Sequence, residues 1–202
     1  MKKVLIITYY WPPSGGAGVQ RWLKLSKYLC EAGADCTVLT VDPAQATYPV
    51  LDESHQKDVH PNLRVVYTST REPFGLYKKI SGRKKVSYGG FANESTTFTK
   101  KIARFIRGNF FIPDARKGWN KFVIKEASRL LSQEQFDGVI ISTPPHSTQL
   151  VGLALKKRFP IFWIADMRDP WTDIYYYKMM LHTALAKKKD AALERRVLEE
   201  AD

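Results

Sequence analysis

Three short clusters in this chain combine residue types that handle anions and hydroxyl groups. The first is Ser14-Gly15-Gly16-Ala17-Gly18-Val19-Gln20, followed at once by Arg21. Glycine tolerates positive φ and lets a phosphate approach backbone N–H groups without meeting a Cβ. A helix that starts there adds unpaired N–H groups and the positive end of its dipole, both of which favour an anion. The spacing departs from the two commonest phosphate loops. Val19-Gln20 stands where a P-loop has its Lys-Ser/Thr pair. A dinucleotide fingerprint sets its first glycine almost directly after a strand; here Tyr9-Tyr10-Trp11-Pro12-Pro13-Ser14 intervenes, and Arg21 fills the place of the third glycine. Asp42 keeps the position of a ribose-binding acid, so a nicotinamide dinucleotide held by Gly16, Gly18 and Asp42 stays open. A plain strand-to-helix turn that binds nothing is the bland alternative.

The second cluster is Thr143-Pro144-Pro145-His146-Ser147-Thr148, and the third is Asp166-Met167-Arg168-Asp169-Pro170-Trp171. His146 can contact a ligand or stabilise charge, or it can be an ordinary capped or solvent-facing histidine. Asp166 and Asp169, three apart at the end of an apolar run, can both reach one hydroxyl of a ligand, which makes them the candidate catalytic pair. Arg168 between them can bind a phosphate or hold one carboxylate in place. An internal salt bridge, with Asp169 capping the next turn, is the structural alternative. Trp11 and Trp171 can stack on the flat face of a ligand or pack their own loops. Arg21 can face the phosphates or sit exposed on its helix. His55, His60 and His182 show no spacing that suggests a metal site.

Strands and helices must position these clusters. Apolar runs at 4–7, 36–41, 63–68, 137–142 and 160–165 read as strands, most of them dense enough to be buried on both faces. Helices are expected at 21–30, with Trp22, Leu25, Leu29 and Cys30 facing inward, at 96–107, around Trp119 to Leu131, and through Leu150 to Leu155. Gly33 fits a helix end. Residues 42–62 read as an irregular crossing. Residues 72–95, with Gly75, Gly82, Gly89, Gly90 and Lys78, Lys79, Arg83, Lys84, Lys85, read as a mobile loop. Strands alternating with helices predict one α/β domain over 1–202, a doubly wound, Rossmann-like parallel sheet. Ligands of such sheets bind beyond the carboxyl ends of the strands, so all three clusters should line one edge.

A chain of 202 residues, 44% hydrophobic, can build one good core. It has no apolar stretch of membrane-spanning length and no signal-peptide cleavage site, which points to a cytoplasmic protein. Cys30 and Cys36 read as small buried hydrophobes. The net charge of +12 favours anionic partners. No nucleic-acid reading module is visible, so nucleic acid is not expected, although a non-enzymatic basic binding module remains an alternative. On the 96–107 helix, Phe98, Ile102, Phe105 and Ile106 oppose Lys100, Lys101, Arg104 and Arg107. Such a helix can lie on an anionic membrane surface, or pack on its own sheet. The charged segment 184–202 offers little apolar surface beyond Val197 and Leu198, which suggests that a further domain follows.

The order of a Gly-Gly loop after the first strand, then Ser-x-Pro-Pro-His, then Asp-x-Arg-Asp-Pro-Trp, resembles the N-terminal domain of a GT-B glycosyltransferase, most similar to family 4. The likeness covers nearly the whole chain, and residues 193–202 are similar to the helix that precedes that family's second domain. It implies an acceptor-side domain whose C-terminal partner domain binds most of the nucleotide-sugar donor. It further implies retaining transfer to a glycan or lipid-linked acceptor, in cell-envelope polysaccharide or glycoconjugate synthesis, at the cytosolic face of a membrane. It implies no metal or other cofactor, and no dedicated catalytic base, because the leaving diphosphate can itself take the proton from the attacking hydroxyl. Gly15, Gly16, Gly18 and Arg21 would then approach the donor diphosphate or sugar, while Trp11, His146, Arg168 and Trp171 would meet the acceptor. Relatives that place a histidine near the reacting centre differ from this chain, whose 166–169 loop has none.

Overall fold

A computed structural model describes residues 1–72 and 98–202, apart from the side chains at 98–100, 103 and 176. The expected glycine-rich basic loop, beyond Glu72, and the side chain of Lys100 therefore lie outside the described residues. Five strands, β1 (Lys3–Ile7), β2 (Asp35–Val41), β3 (Arg64–Thr68), β4 (Gly138–Ser142) and β5 (Trp163–Asp166), form one parallel sheet in the order β3-β2-β1-β4-β5. The chain lays β2 and β3 on one side of β1, then crosses to lay β4 and β5 on the other. In sheets of this kind such a reversal marks where ligands bind, between the loops that leave β1 and β4.

The α-helices described are α1 (Ala17–Glu31), α2 (Phe98–Phe110), α3 (Asn120–Gln133), α4 (Gln149–Lys156) and α5 (Ala184–Glu200). Alternation along β1 sends Ile6 to one face and Leu5 and Ile7 to the other. Ile6 joins Val38, Ile140 and the inner side of α1; Leu5 and Ile7 join Leu39, Val139, Ile141 and the inner sides of α3, α4 and α5. Burying each such aliphatic side chain contributes about 1.5–3 kcal/mol, so the sheet is held from both faces. This is the Rossmann-like fold expected.

Four details differ from the expectation. Helix α1 begins at Ala17, inside the glycine cluster, instead of after it. Its buried residues are Val19, Trp22, Leu23 and Ser26, while Leu25 is 42% exposed. Trp22, Leu29 and Cys30 face the core as expected, and only Leu25 turns outward, its place taken by Leu23 and Ser26. Helix α5 is better anchored than its charge suggested, because Ala186, Asp190 and Val197 are buried. The apolar side of α2 is not packed on the sheet: Ile102, Phe105 and Ile106 are all more than two-fifths exposed.

Two local features fix the helices. Gly33 takes φ +86° just after α1, while Gly33 N–H donates to Cys30 O and Ala34 N–H to Leu29 O, closing the helix end. On α4, Gly152 faces the Trp163 ring so closely that a Cβ there would stand 2.1 Å from Cε2. Among the described residues, no helix is long and apolar enough to cross a membrane.

A candidate anion site at the carboxyl edge of the sheet

The chain leaves β1 through Tyr9 to Gly16, and a strap at 50–52 holds that loop. Gly15 N–H donates to Val50 O at 2.9 Å and Asp52 N–H to Pro13 O at 2.8 Å. Any Cβ on Gly15 would meet Val50 Cγ1 at 2.9 Å. Gly16, with φ 90° and ψ 169°, turns the chain into α1. That start carries no side-chain cap and no acidic residue in its first turn. The N–H groups and the positive end of the dipole are thus left for something anionic.

The third cluster arrives from β5. Arg168 lays its guanidinium over the first turn of α1: a Cβ on Gly18 would lie 2.7 Å from Nη1. The other nitrogen, Nη2, is 3.4 Å from Asp169 Oδ2. Arg21, one turn along α1, places Nη2 3.1 Å from Asp166 Oδ1. Two guanidinium groups, each paired with a carboxylate, therefore lie along the first turns of α1. Such a set of preorganised donors suits a phosphate or diphosphate.

Asp166 is committed to this architecture. Oδ2 accepts from Trp22 Nε1 at 2.6 Å and from Ser142 Oγ at 2.8 Å, and Oδ1 faces Arg21. One carboxylate thus joins β5, β4 and α1, which argues for a positioning role in place of the catalytic one expected. Asp169, paired with Arg168 among the described residues and with its side chain 41% exposed, keeps an accessible oxygen.

The other expected residues divide. Trp11 is 1% exposed in the core beneath α1, and Trp171 is 2% exposed. Neither presents a free ring face, so the expectation that they stack on a sugar is corrected: both pack loops. The Trp171 ring is stacked on His146 with centroids 5.3 Å apart, and its Nε1 donates to Asp190 Oδ1 at 2.9 Å. Burial pushes the His146 pKa down, against the pull of Asp114, Asp169 and Glu194. Asp42 accepts from Ala44 N–H and Gln45 Nε2, both at 2.9 Å, and so shapes the turn that follows β2. Among the described residues, no group of three His, Cys, Asp or Glu could hold a metal ion.

A second constellation was not read from the sequence. Arg116 lies 5.0 Å from the Tyr9 ring centroid and donates to Thr47 O at 2.9 Å. Tyr9 OH donates to Glu72 Oε1 at 2.5 Å, and Thr47 Oγ1 donates to the same carboxylate. Burial raises the Tyr9 pKa, so the phenol stays protonated. Asp114 fastens the neighbouring loop by accepting from Ser147 N–H and Oγ, each at 2.8 Å. Beside this cluster opens a cavity of about 1010 Å³, lined in part by Thr47, Arg71, Glu72, Phe110, Lys117 and Lys189. The only signal in the sequence was an aspartate closing the apolar run Phe110-Phe111-Ile112-Pro113.

No family model matches this chain, and no curated protein does. Among solved structures it is similar to a glycosyltransferase, apo UGT2 of Phytolacca americana, at 12% identity and a TM-score of 0.44. That likeness covers 81% of this chain and 28% of the other, so the chain spans well under half of UGT2. It is also similar, at 15% identity and a TM-score of 0.43, to the C-terminal domain (residues 83–215) of a hydrogenase from Pyrococcus furiosus, covering 82% of this chain and 90% of that one. The five-stranded parallel sheet with helices on both faces is Rossmann-like.

Proposed function

We propose that this chain is the acceptor-side domain of a retaining, family 4-like glycosyltransferase, which moves a sugar from a nucleotide-sugar donor to a glycan or lipid-linked acceptor. The observation that carries the reading is the Arg168 guanidinium lying over Gly18 at the uncapped start of α1, with Arg21 beside it. Sugar transfer from a nucleoside diphosphate builds negative charge on the departing phosphate, and fixed donors of this kind stabilise that charge. The acceptor hydroxyl attacks from the face on which the phosphate leaves, and the phosphate takes the hydroxyl proton. The partly exposed carboxylate of Asp169 orients the acceptor, while Asp166 holds Arg21 and Trp22 in place. On this reading the acceptor occupies the open cavity beside Arg116, and a second domain supplies most of the donor pocket.

Calorimetric titration with pyrophosphate and with a nucleoside diphosphate tests it. Saturable binding is expected, weakened about tenfold or more in Arg168→Ala, since a hydrogen bond to a charged group contributes about 1.5–3 kcal/mol. Absence of binding, or binding indifferent to Arg168→Ala, overturns the reading; saturable NADH binding lost in Asp42→Ala would replace it.

A further inference from the structure

Helix α5 reaches the anion site through two of its own carboxylates. Asp190 and Glu194 stand four residues apart, on one side of the helix. Asp190, 2% exposed, accepts from Trp171 Nε1 at 2.9 Å. Thr172 N–H points between the two oxygens of Glu194, each 3.3 Å from the nitrogen, and Thr172 Oγ1 donates to Oε2. Trp171 and Thr172 follow Arg168-Asp169-Pro170 directly. Pro170 fixes its own φ, so whatever holds Trp171 is carried back toward Arg168 by a stiff link.

The loop is thus fastened on both sides of its guanidinium. Ahead of Arg168, Asp166 binds Trp22, Ser142 and Arg21. Behind it stands α5. Just before that helix starts, Thr183 N–H donates to Asn109 Oδ1 at 2.8 Å; just past its end, Trp163 N–H donates to Asp202 Oδ2 at 2.9 Å. Ala186 and Val197 are buried along its length, so α5 is a fixed point to hold the loop against. Burial raises the Asp190 pKa, and the bond from Trp171 pulls it back down. A carboxylate withdrawn from water is a costly fastening where an apolar contact would keep the two elements together. What the hydrogen bonds add is direction, because they hold only over a narrow range of distance and angle.

We propose that Asp190 and Glu194 are positioning residues of the anion site, which set, through Trp171 and Thr172, where the Arg168 guanidinium lies over the first turn of α1. The proposal rests on the anion-binding reading of that site. Neither carboxylate touches the anion; each acts by holding the loop that carries its donor.

Calorimetric titration of the whole chain with pyrophosphate, run as a double-mutant cycle, tests it. Glu194→Ala releases Thr172 and should weaken binding about fivefold. In the Arg168→Ala background the same substitution should change affinity less than about twofold, because the group through which it acts is gone. Glu194→Gln keeps an acceptor for Thr172 and should bind within about twofold of the wild type. Asp190→Leu combined with Trp171→Phe removes the second bond without stranding a buried polar group, and should also weaken binding about fivefold. A general loosening of the chain would instead weaken both backgrounds alike. Wild-type chain that fails to bind pyrophosphate removes the anion site itself. Wild-type binding that ignores Glu194→Ala, falls equally in both backgrounds, or is not restored by Glu194→Gln leaves that site standing and overturns the positioning role.

Discussion

Gly18 leaves the space into which Arg168 extends: Nη1 of the guanidinium lies 2.7 Å from where a Cβ on Gly18 would be. The atom in conflict is the far end of a flexible side chain, so the chain can accept a methyl group there by moving the guanidinium. Alanine also gains up to about 1 kcal/mol over glycine inside a helix. Gly18→Ala should therefore keep or slightly raise the melting temperature while lowering pyrophosphate affinity about tenfold. A matched loss of both would mean that Gly18 serves only packing.

Gly152 is the opposite case. Its missing Cβ would fall 2.1 Å from Trp163 Cε2, and that indole is fully buried between α4 and the sheet. Neither partner can swing aside, so overpacking should cost about 1–3 kcal/mol. Gly152→Ala is expected to lower the urea midpoint with little change in anion affinity. An unchanged midpoint would show that α4 slides freely on β5.

Asp166 and Asp169 should separate under conservative replacement. Asp166→Asn weakens bonds to Trp22, Ser142 and Arg21 at once, and stranded buried donors cost about 1–3 kcal/mol. Asp169→Asn touches one partly buried pair at a loose 3.4 Å, whose contribution to stability is about 0–1 kcal/mol. Denaturation of both variants checks the contrast. Equal losses would remove the positioning role assigned to Asp166.

His146 gives stability a dependence on pH. Burial holds its pKa below the ordinary 6.5, while Asp114, Asp169 and Glu194 pull it up and Arg168 pulls it down. Between the native value and 6.5 the unfolded chain binds more protons, so stability rises with pH in that window. The contribution is complete above 6.5 and is lost as pH falls through the native value. His146→Phe keeps a ring against Trp171 and removes the titration. Its melting temperature should fall less than the wild type's between about pH 7.5 and about pH 5.5. His182, shifted in the same direction by burial, leaves part of the slope in place.

Much of this arrangement was legible in the residues. The dense apolar runs of β1, β2 and β4 announce strands buried on both faces, and their alternation with helices announces the parallel sheet. The convergence of the glycine cluster with the 166–171 loop followed from a rule about strand ends. What escaped were pairings across sequence distance. Nothing local says that Trp22 will bond Asp166, because that bond spans α1 and β5. Nor does the pattern of Tyr9, Thr47, Glu72 and Arg116, drawn from four segments, look like a motif before the chain has folded. Trp11 and Trp171 show the limit in the other direction. An aromatic ring in a loop suits a sugar platform as well as a core, and only packing decides.

The strand order also sets a timetable. β1 is made first and lies at the centre of the sheet, yet its second neighbour is β4, with Ile7 opposite Ile141. During synthesis, at roughly 5–20 residues per second, the apolar edge of β1 waits on the order of ten seconds for that partner. Until then the β1–β3 half is a half-sheet with a sticky margin, open to any passing strand. The nascent chain is therefore most vulnerable to misassociation, and most in need of a chaperone, before residue 142 has left the ribosome.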